Sequence, residues 1–356
     1  MSVHILALVL QYQGKYEEAE QMNRRALDAR EKVLGREHPD TLTSISNLAE
    51  ALRYQGKYEE AEQMNRRALD AREKVLGREH PSTLTSISNL ASVLGYQGKY
   101  EEAEQMNRRA LDASEKVLSR EHPDTLTSIS DLASVLGYQG KYEEAEQMNR
   151  RALEGYEKVL GREHPSTITS ISNLALVLQY QGKYEEADQM NRRALDASEK
   201  VLGREHPSTL TSISNLALVL EYQGKYEEAE QINRRALDAR ENVLSGEHPD
   251  TLMSISNLAG VLQNQGKYEE AEQMNRRALD AREKVLGREH PDTLTSVYNL
   301  AYLFHRQTHF SEAAKLYERA CDGYVEVLGS DHPTTRACVA HCRSLRNDMA
   351  NNVQKR

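Results

Sequence analysis

Residues 35–61 read GREHPDTLTSISNLAEALRYQGKYEEA. Pro39 suits the first turn of a helix, where its missing N–H is not needed, and Asp40 complements the positive helix end. Leu42, Ile45, Leu48, Ala49 and Leu52 then lie on one helical face. Gly56 stops that helix. A second helix opens at Lys57, with Glu59 and Glu60 in its first turn and Tyr58, Ala61, Met64, Ala68, Leu69, Val75 and Leu76 as its apolar positions. Gly77 ends it. The pairs Glu62–Arg66 and Asp70–Lys74 stand at i,i+4 in the favourable order. The stretch therefore predicts an antiparallel helix pair.

The same reading repeats along the chain. The eight prolines (39, 81, 123, 165, 207, 249, 291 and 333) all follow a histidine and stand 42 residues apart. QGKYEEA occurs seven times, from Gln13–Ala19 to Gln265–Ala271, and an eighth copy has drifted to QTHFSEA at Gln307–Ala313. A fixed period of this size means an array in which each unit touches its neighbours. The expected fold is all-α: a right-handed α-solenoid, or superhelix, of eight antiparallel helix pairs plus a C-terminal capping helix. Residues 1–356 form one array, with a partial unit at 1–38, full units at 39–80, 81–122, 123–164, 165–206, 207–248, 249–290 and 291–332, and a cap at 333–356. Within the cap, Pro333–Arg346 is expected to be helical and Asn347–Arg356 a polar tail.

Composition agrees. The absence of Trp and an aromatic fraction of 6% suit a thin continuous core of Leu, Ile, Val and Ala. The net charge of -9 argues against nucleic acid and acidic membranes as partners. The stretch VHILALVL at residues 3–10 lacks the basic flank and cleavage site of a signal peptide and aligns with Ile171–Leu178 inside a first helix. Three cysteines with no disulfide framework point to a reducing, cytoplasmic setting.

The pattern Leu48-Ala49, Gly56, Tyr58, Ala61 and Ala68 resembles tetratricopeptide repeats. With the 42-residue period and EKVLGREHP at Glu73–Pro81, it is similar to the repeats of kinesin light chains and to the arrays of fungal and bacterial proteins, including NOD-like receptors. Two positions depart from the family pattern. The tryptophan-like position is Ile45 and its equivalents. The often aromatic second-helix position is Asn65, Asn107, Asn149, Asn191, Asn233 and Asn275, with Tyr317 in the last unit. The asparagine column reads either as a buried amide ladder or as a partly solvated rim.

The resemblance implies that the first helices line a concave groove in which one asparagine per unit bonds an extended peptide backbone. Those positions are Asn47, Asn89, Asn173, Asn215, Asn257 and Asn299, with Asp131 in the fourth unit and Ile5 in the first. An amide suits the task because it donates and accepts at once. Two positions vary between otherwise near-identical copies. One reads Leu8, Glu50, Ser92, Ser134, Leu176, Leu218, Gly260 and Tyr302; the other Gln11, Arg53, Gly95, Gly137, Gln179, Glu221, Gln263 and His305. Three residues apart, they share a face and are expected to set ligand preference. A tyrosine column, Tyr12, Tyr54, Tyr96, Tyr138, Tyr180 and Tyr222, either borders the groove or packs at the helix end.

The chain offers no phosphate-cradling glycine frame and no evident nucleophile with its base. It is read as a non-enzyme without cofactor or metal. The His-Pro histidines recur a whole helix pair apart and read as helix-start residues. Cys338 and Cys342 stand at i,i+4, but a metal site would need a second pair, which is absent, so these and Cys321 read as small buried residues. The leading function is a protein-interaction scaffold binding a peptide or protein segment; the alternative is the C-terminal sensor or oligomerisation domain of a larger NOD-like receptor-type protein. The array begins without a polar cap, which predicts either a missing upstream domain or self-association through that end.

Overall fold

The structure, a computed structural model, describes residues 3–354, with side chains for 5–350. Seventeen helices and no strand occur among the described residues. The first helices of successive units are Val3–Tyr12 (α1), Pro39–Tyr54 (α3), Pro81–Tyr96 (α5), Pro123–Tyr138 (α7), Pro165–Tyr180 (α9), Pro207–Tyr222 (α11), Pro249–Asn264 (α13) and Pro291–Arg306 (α15). The second helices are Tyr16–Leu34 (α2), Tyr58–Leu76 (α4), Tyr100–Val117 (α6), Tyr142–Leu160 (α8), Tyr184–Leu202 (α10), Tyr226–Val243 (α12), Tyr268–Leu286 (α14) and Phe310–Leu328 (α16). The last helix, Pro333–Gln354 (α17), is longer than expected: with no Gly or Pro to stop it, the helix runs on through the residues read as a tail. Residues 355 and 356 lie outside the described residues.

The chain divides into two compact units, 1–215 and 216–356, and each is a run of α-solenoid. In the first, separate clusters of buried Leu, Ile, Ala and Val recur from repeat to repeat. In the second, a single cluster extends from Leu237 to Leu345 and includes Phe304, Tyr317, Tyr324 and Cys338. The expected first-helix face is buried throughout: Leu42, Ile45, Leu48, Ala49 and Leu52 are each at most 2% exposed.

The second helix bears one correction. Val75 is exposed, and the buried stripe runs instead through Ala61, Asn65, Ala68, Leu69 and Arg72. The stripe holds strict helical spacing but contains two polar members, each of which must be bonded. Asn23, Asn107 and Asn191 bond alike: each amide nitrogen donates to the backbone carbonyl of the next unit's first helix, at Asn47, Asp131 and Asn215. The column is buried, not a solvated rim, and at these three asparagines the amide bonds backbone rather than a neighbouring amide. Arg72 donates to the hydroxyls of Ser46 and Ser86, and Arg282 does the same with Ser256 and Ser296. Burial pushes both guanidiniums below the usual arginine range.

Two copies carry Gly-Tyr at this level. Leu126 fills the space beside Gly155, where a Cβ would come within 2.5 Å of a methyl carbon. The Tyr156 hydroxyl meets Thr127 Oγ1 at 2.9 Å, and Tyr324 repeats the contact with Thr295.

The helix ends follow local chemistry. In the described His-Pro pairs the imidazole is the N-cap: Nδ1 of His38 accepts from the Asp40 backbone N–H at 3.2 Å, and His122 from Asp124 likewise. Gly77 adopts φ +89°, which favours glycine. Where serine replaces that glycine, at Ser119 and Ser245, the second helix stops one residue sooner, at Val117 and Val243. Between second helices a lattice of ions repeats. Glu62 accepts from Arg66 and from Lys99 of the next unit, and Arg66 also reaches Glu102. Lys74 reaches Glu37 of the preceding loop, rather than Asp70. Among the described residues no helix is long and apolar enough to cross a membrane.

Candidate functional site

The first helices set the positions that vary between copies. In unit 1–215, the first of the two varying positions is exposed: Leu8, Glu50, Ser92, Ser134 and Leu176. Its partner three residues on is deeper. Gln11, Arg53, Gly95 and Gly137 are half-buried, and Gln179 is buried. The neighbours on either side of Glu50, Ser92, Ser134 and Leu176 are core. Change at the exposed position of this strip costs little packing.

Predicted residues of adjacent repeats meet in one polar cavity of about 110 Å³ between α3 and α5. Glu50 and Arg53 line it from one side, Asn89 and Ser92 from the other, and Ser46 and Asn65 lie in it as well. The Arg53 guanidinium lies 3.5 Å from Glu50 and sits over the rings of Tyr54 and Tyr96, at 4.2 and 5.1 Å from their centres. Asn65 was not expected at this cavity; of the two readings open for its column, burial is the one observed.

The asparagines read as peptide-bonding groups, Asn47, Asn89, Asn173 and Asn215, are half-buried between first helices. Asp131 takes the same place with a carboxyl group. Burial pushes it up to about 6, against the Ser88 hydroxyl, whose hydrogen bond lowers it. Ile5, the counterpart in α1, is exposed, as are Leu8, Val9 and Tyr12.

In unit 216–356, Leu218 is exposed and Asn257, Gly260 and Asn299 are half-buried. Glu221 accepts from the Asn264 amide at 2.6 Å, and burial pushes its carboxyl up. Tyr302 and His305 are engaged by the capping helix. His305 Nε2 lies 3.0 Å from Asp348, and the Tyr302 ring meets His341 edge-on at 5.6 Å. The last repeat's share of the strip is thus partly covered by α17.

The tyrosine column packs by stacking. Tyr54, Tyr96, Tyr138 and Tyr180 lie face to face with Tyr16, Tyr58, Tyr100 and Tyr142, at 5.3–5.8 Å between centres. Each still exposes a good part of its ring beside the strip.

The three cysteines converge. Cys321 on α16 lies 2.9 Å from Cys338 and 3.1 Å from Cys342 on α17, sulfur to sulfur. Among the described residues they form the one group of three side chains placed to share a metal ion. The sequence spacing showed two of them together; the third joins only through the packing of α16 on α17.

The tetratricopeptide-repeat model matches residues 1–74, 46–116, 82–158, 124–200, 166–242 and 250–326, which is most of the chain. The chain belongs to the tetratricopeptide-repeat family. Among solved structures it is similar to a kinesin light chain-type protein of Podosopora anserina with nearly identical TPR-like repeats. That protein is 29% identical over 58% of this chain and 97% of its own, with a TM-score of 0.50. BtubC from P. vanneervenii is 23% identical over 66% of this chain and 92% of its own, TM-score 0.50. A Rap protein complexed with competence and sporulation factor is 12% identical over 98% of both chains, TM-score 0.60. The last two share the fold. No curated protein matches the chain. The repeat fold is typical of protein–protein interaction and generally non-catalytic.

Proposed function

We propose that this tetratricopeptide-repeat protein is a non-catalytic, cytoplasmic scaffold that holds an extended segment of another protein along the face built by its first helices. One observation carries the reading. The positions that differ from copy to copy in unit 1–215 (Glu50, Ser92, Ser134 and Leu176) are exposed on one strip, while the residues between them are buried and almost invariant. The two buried neighbours of each exposed position stay nearly constant, whereas the exposed position itself changes in charge, size and polarity.

The strip has the chemistry a peptide backbone needs. The half-buried amides of Asn89 and Asn173 can donate and accept at once. Exposed Tyr96 and Tyr138 add apolar area at its border. The polar cavity at Arg53 and Asn89 gives a place for one ligand side chain, with Glu50 and Arg53 setting its charge.

A display library of 12-residue random peptides tests the reading. Wild-type protein should enrich peptides that compete with one another, and Asn89→Ala combined with Asn173→Ala should weaken them at least tenfold while the protein stays folded. Exchanging Leu176 for Ser should change which peptides are enriched. Binders indifferent to all of these substitutions would refute the assignment of the first-helix face.

A further inference from the structure

The cysteine cluster has no part in the peptide-binding reading. Cys338 is 1% exposed, whereas Cys321 and Cys342 are half-buried. All three sulfurs lie within 4.8 Å of one another. They come from two helices: Cys338 and Cys342 from successive turns of α17, and Cys321 from the facing side of α16. Three isolated thiols gain little from meeting at one point. As thiols they are weak donors and weak acceptors. Small apolar residues would fill the same space between helices.

We propose that Cys321, Cys338 and Cys342 form a three-thiolate site for one Zn(II) ion, which fastens the capping helix α17 to α16.

The geometry is within reach of such a site. Zinc–thiolate bonds of about 2.3 Å in tetrahedral array place the sulfurs roughly 3.8 Å apart. The two close pairs, at 2.9 and 3.1 Å, must open by somewhat under 1 Å. The half-exposed Cys321 and Cys342 have the solvent-side freedom to do this, while buried Cys338 stays fixed.

The fourth position goes to water. His341 lies between the two α17 cysteines in sequence, but its Nδ1 meets the Tyr298 hydroxyl at 2.8 Å and its ring packs against Tyr302 and Tyr317. Charge favours Zn(II) over Cu(I). Three thiolates with Zn(II) leave one net negative charge, and with Cu(I) two. Arg346, near Cys342, is the cation at hand to offset the first.

Binding exchanges protons for metal. Each thiol loses its proton to solvent as its sulfur binds, so one Zn(II) enters and three protons leave. Burial and the contact with Cys321 push the Cys342 thiol up to about 12.

The test uses the full chain, reduced and stripped of metal, titrated with Zn(II) or with Co(II) as a spectroscopic probe. The expected result is one ion per chain, an intense tetrahedral thiolate–cobalt spectrum that Zn(II) abolishes, and at least tenfold slower amide exchange in α17 on Zn(II) saturation. Cys321→Ser and Cys342→Ser, both half-buried and checked for unchanged helicity, should each weaken binding at least tenfold and remove the exchange protection. Cys338→Ser is avoided as the main variant because it sits in the core. No binding, a pale octahedral cobalt spectrum, or binding that survives Cys321→Ser would overturn the proposal, as would preferential Cu(I) uptake with Zn(II) excluded.

Discussion

Asp131 stands where six other copies carry asparagine, and the difference is one of charge in a confined place. Its carboxyl sits between first helices, is pushed up to about 6 by burial, and keeps one hydrogen bond from Ser88. A carboxyl raised in the folded state favours folding in its neutral form. Its contribution is fully present below about pH 4 and lost as pH rises to about 6. Replacing Asp131 with Asn should therefore stabilise the protein at pH 7 by about 2 kcal/mol and make little difference at pH 4. Urea denaturation at the two pH values reads this directly; an equal effect at both would remove the charge explanation. The sequence marked Asp131 as the exception in its column. How closely the neighbouring helix confines it was invisible there, because burial of position 131 depends on residues of another repeat.

At the scale of an element, the turn between the two helices of each repeat depends on one backbone conformation. Gly56 takes φ +74°, and the drifted last copy places Thr308 in the same left-handed region at φ +63°. A β-branched residue is strained there, at a cost of about 1–3 kcal/mol. Thr308→Gly should raise stability by about 1 kcal/mol, read as a higher urea midpoint with an unchanged slope. A lower midpoint would show that the threonine side chain makes a contact worth more than the strain. Helix ends in general were legible from sequence, since His-Pro, Gly and the acidic first turn act locally. The second-helix stripe was legible only in part. Ala61 and Ala68 announced themselves, Asn65 was left open between burial and a solvated rim, and Arg72 was missed, because a polar residue signals burial only when its partners are known. Those partners, such as Ser86 for Arg72, lie on the following helix.

For the whole molecule, contacts run between neighbouring repeats, so a defect should stay local. Leu132 is fully buried in a cluster confined to residues 111–177. Leu132→Ala should cost about 2–5 kcal/mol of local stability. Amide exchange should quicken in α5 through α9 and remain unchanged in α15 to α17. Quickening across all seventeen helices would mean that the array unfolds as one body. The ion lattice on the second helices adds little to this ledger, because exposed pairs contribute about 0–1 kcal/mol each.

The period of 42, the helix pairs and the family follow from the sequence alone, because turn chemistry, capping and hydrophobic spacing act within a few residues and are copied eight times. The tertiary structure decided which polar residues are buried, what bonds them, and which distant side chains meet. The backbone partners of Asn107 and Asn191, the cavity shared by Arg53 and Asn89, the cover that α17 lays over His305, and the approach of Cys321 to Cys338 and Cys342 all arise between helices. Such contacts depend on how one helix lies on the next, a geometry that residue spacing within a helix does not contain.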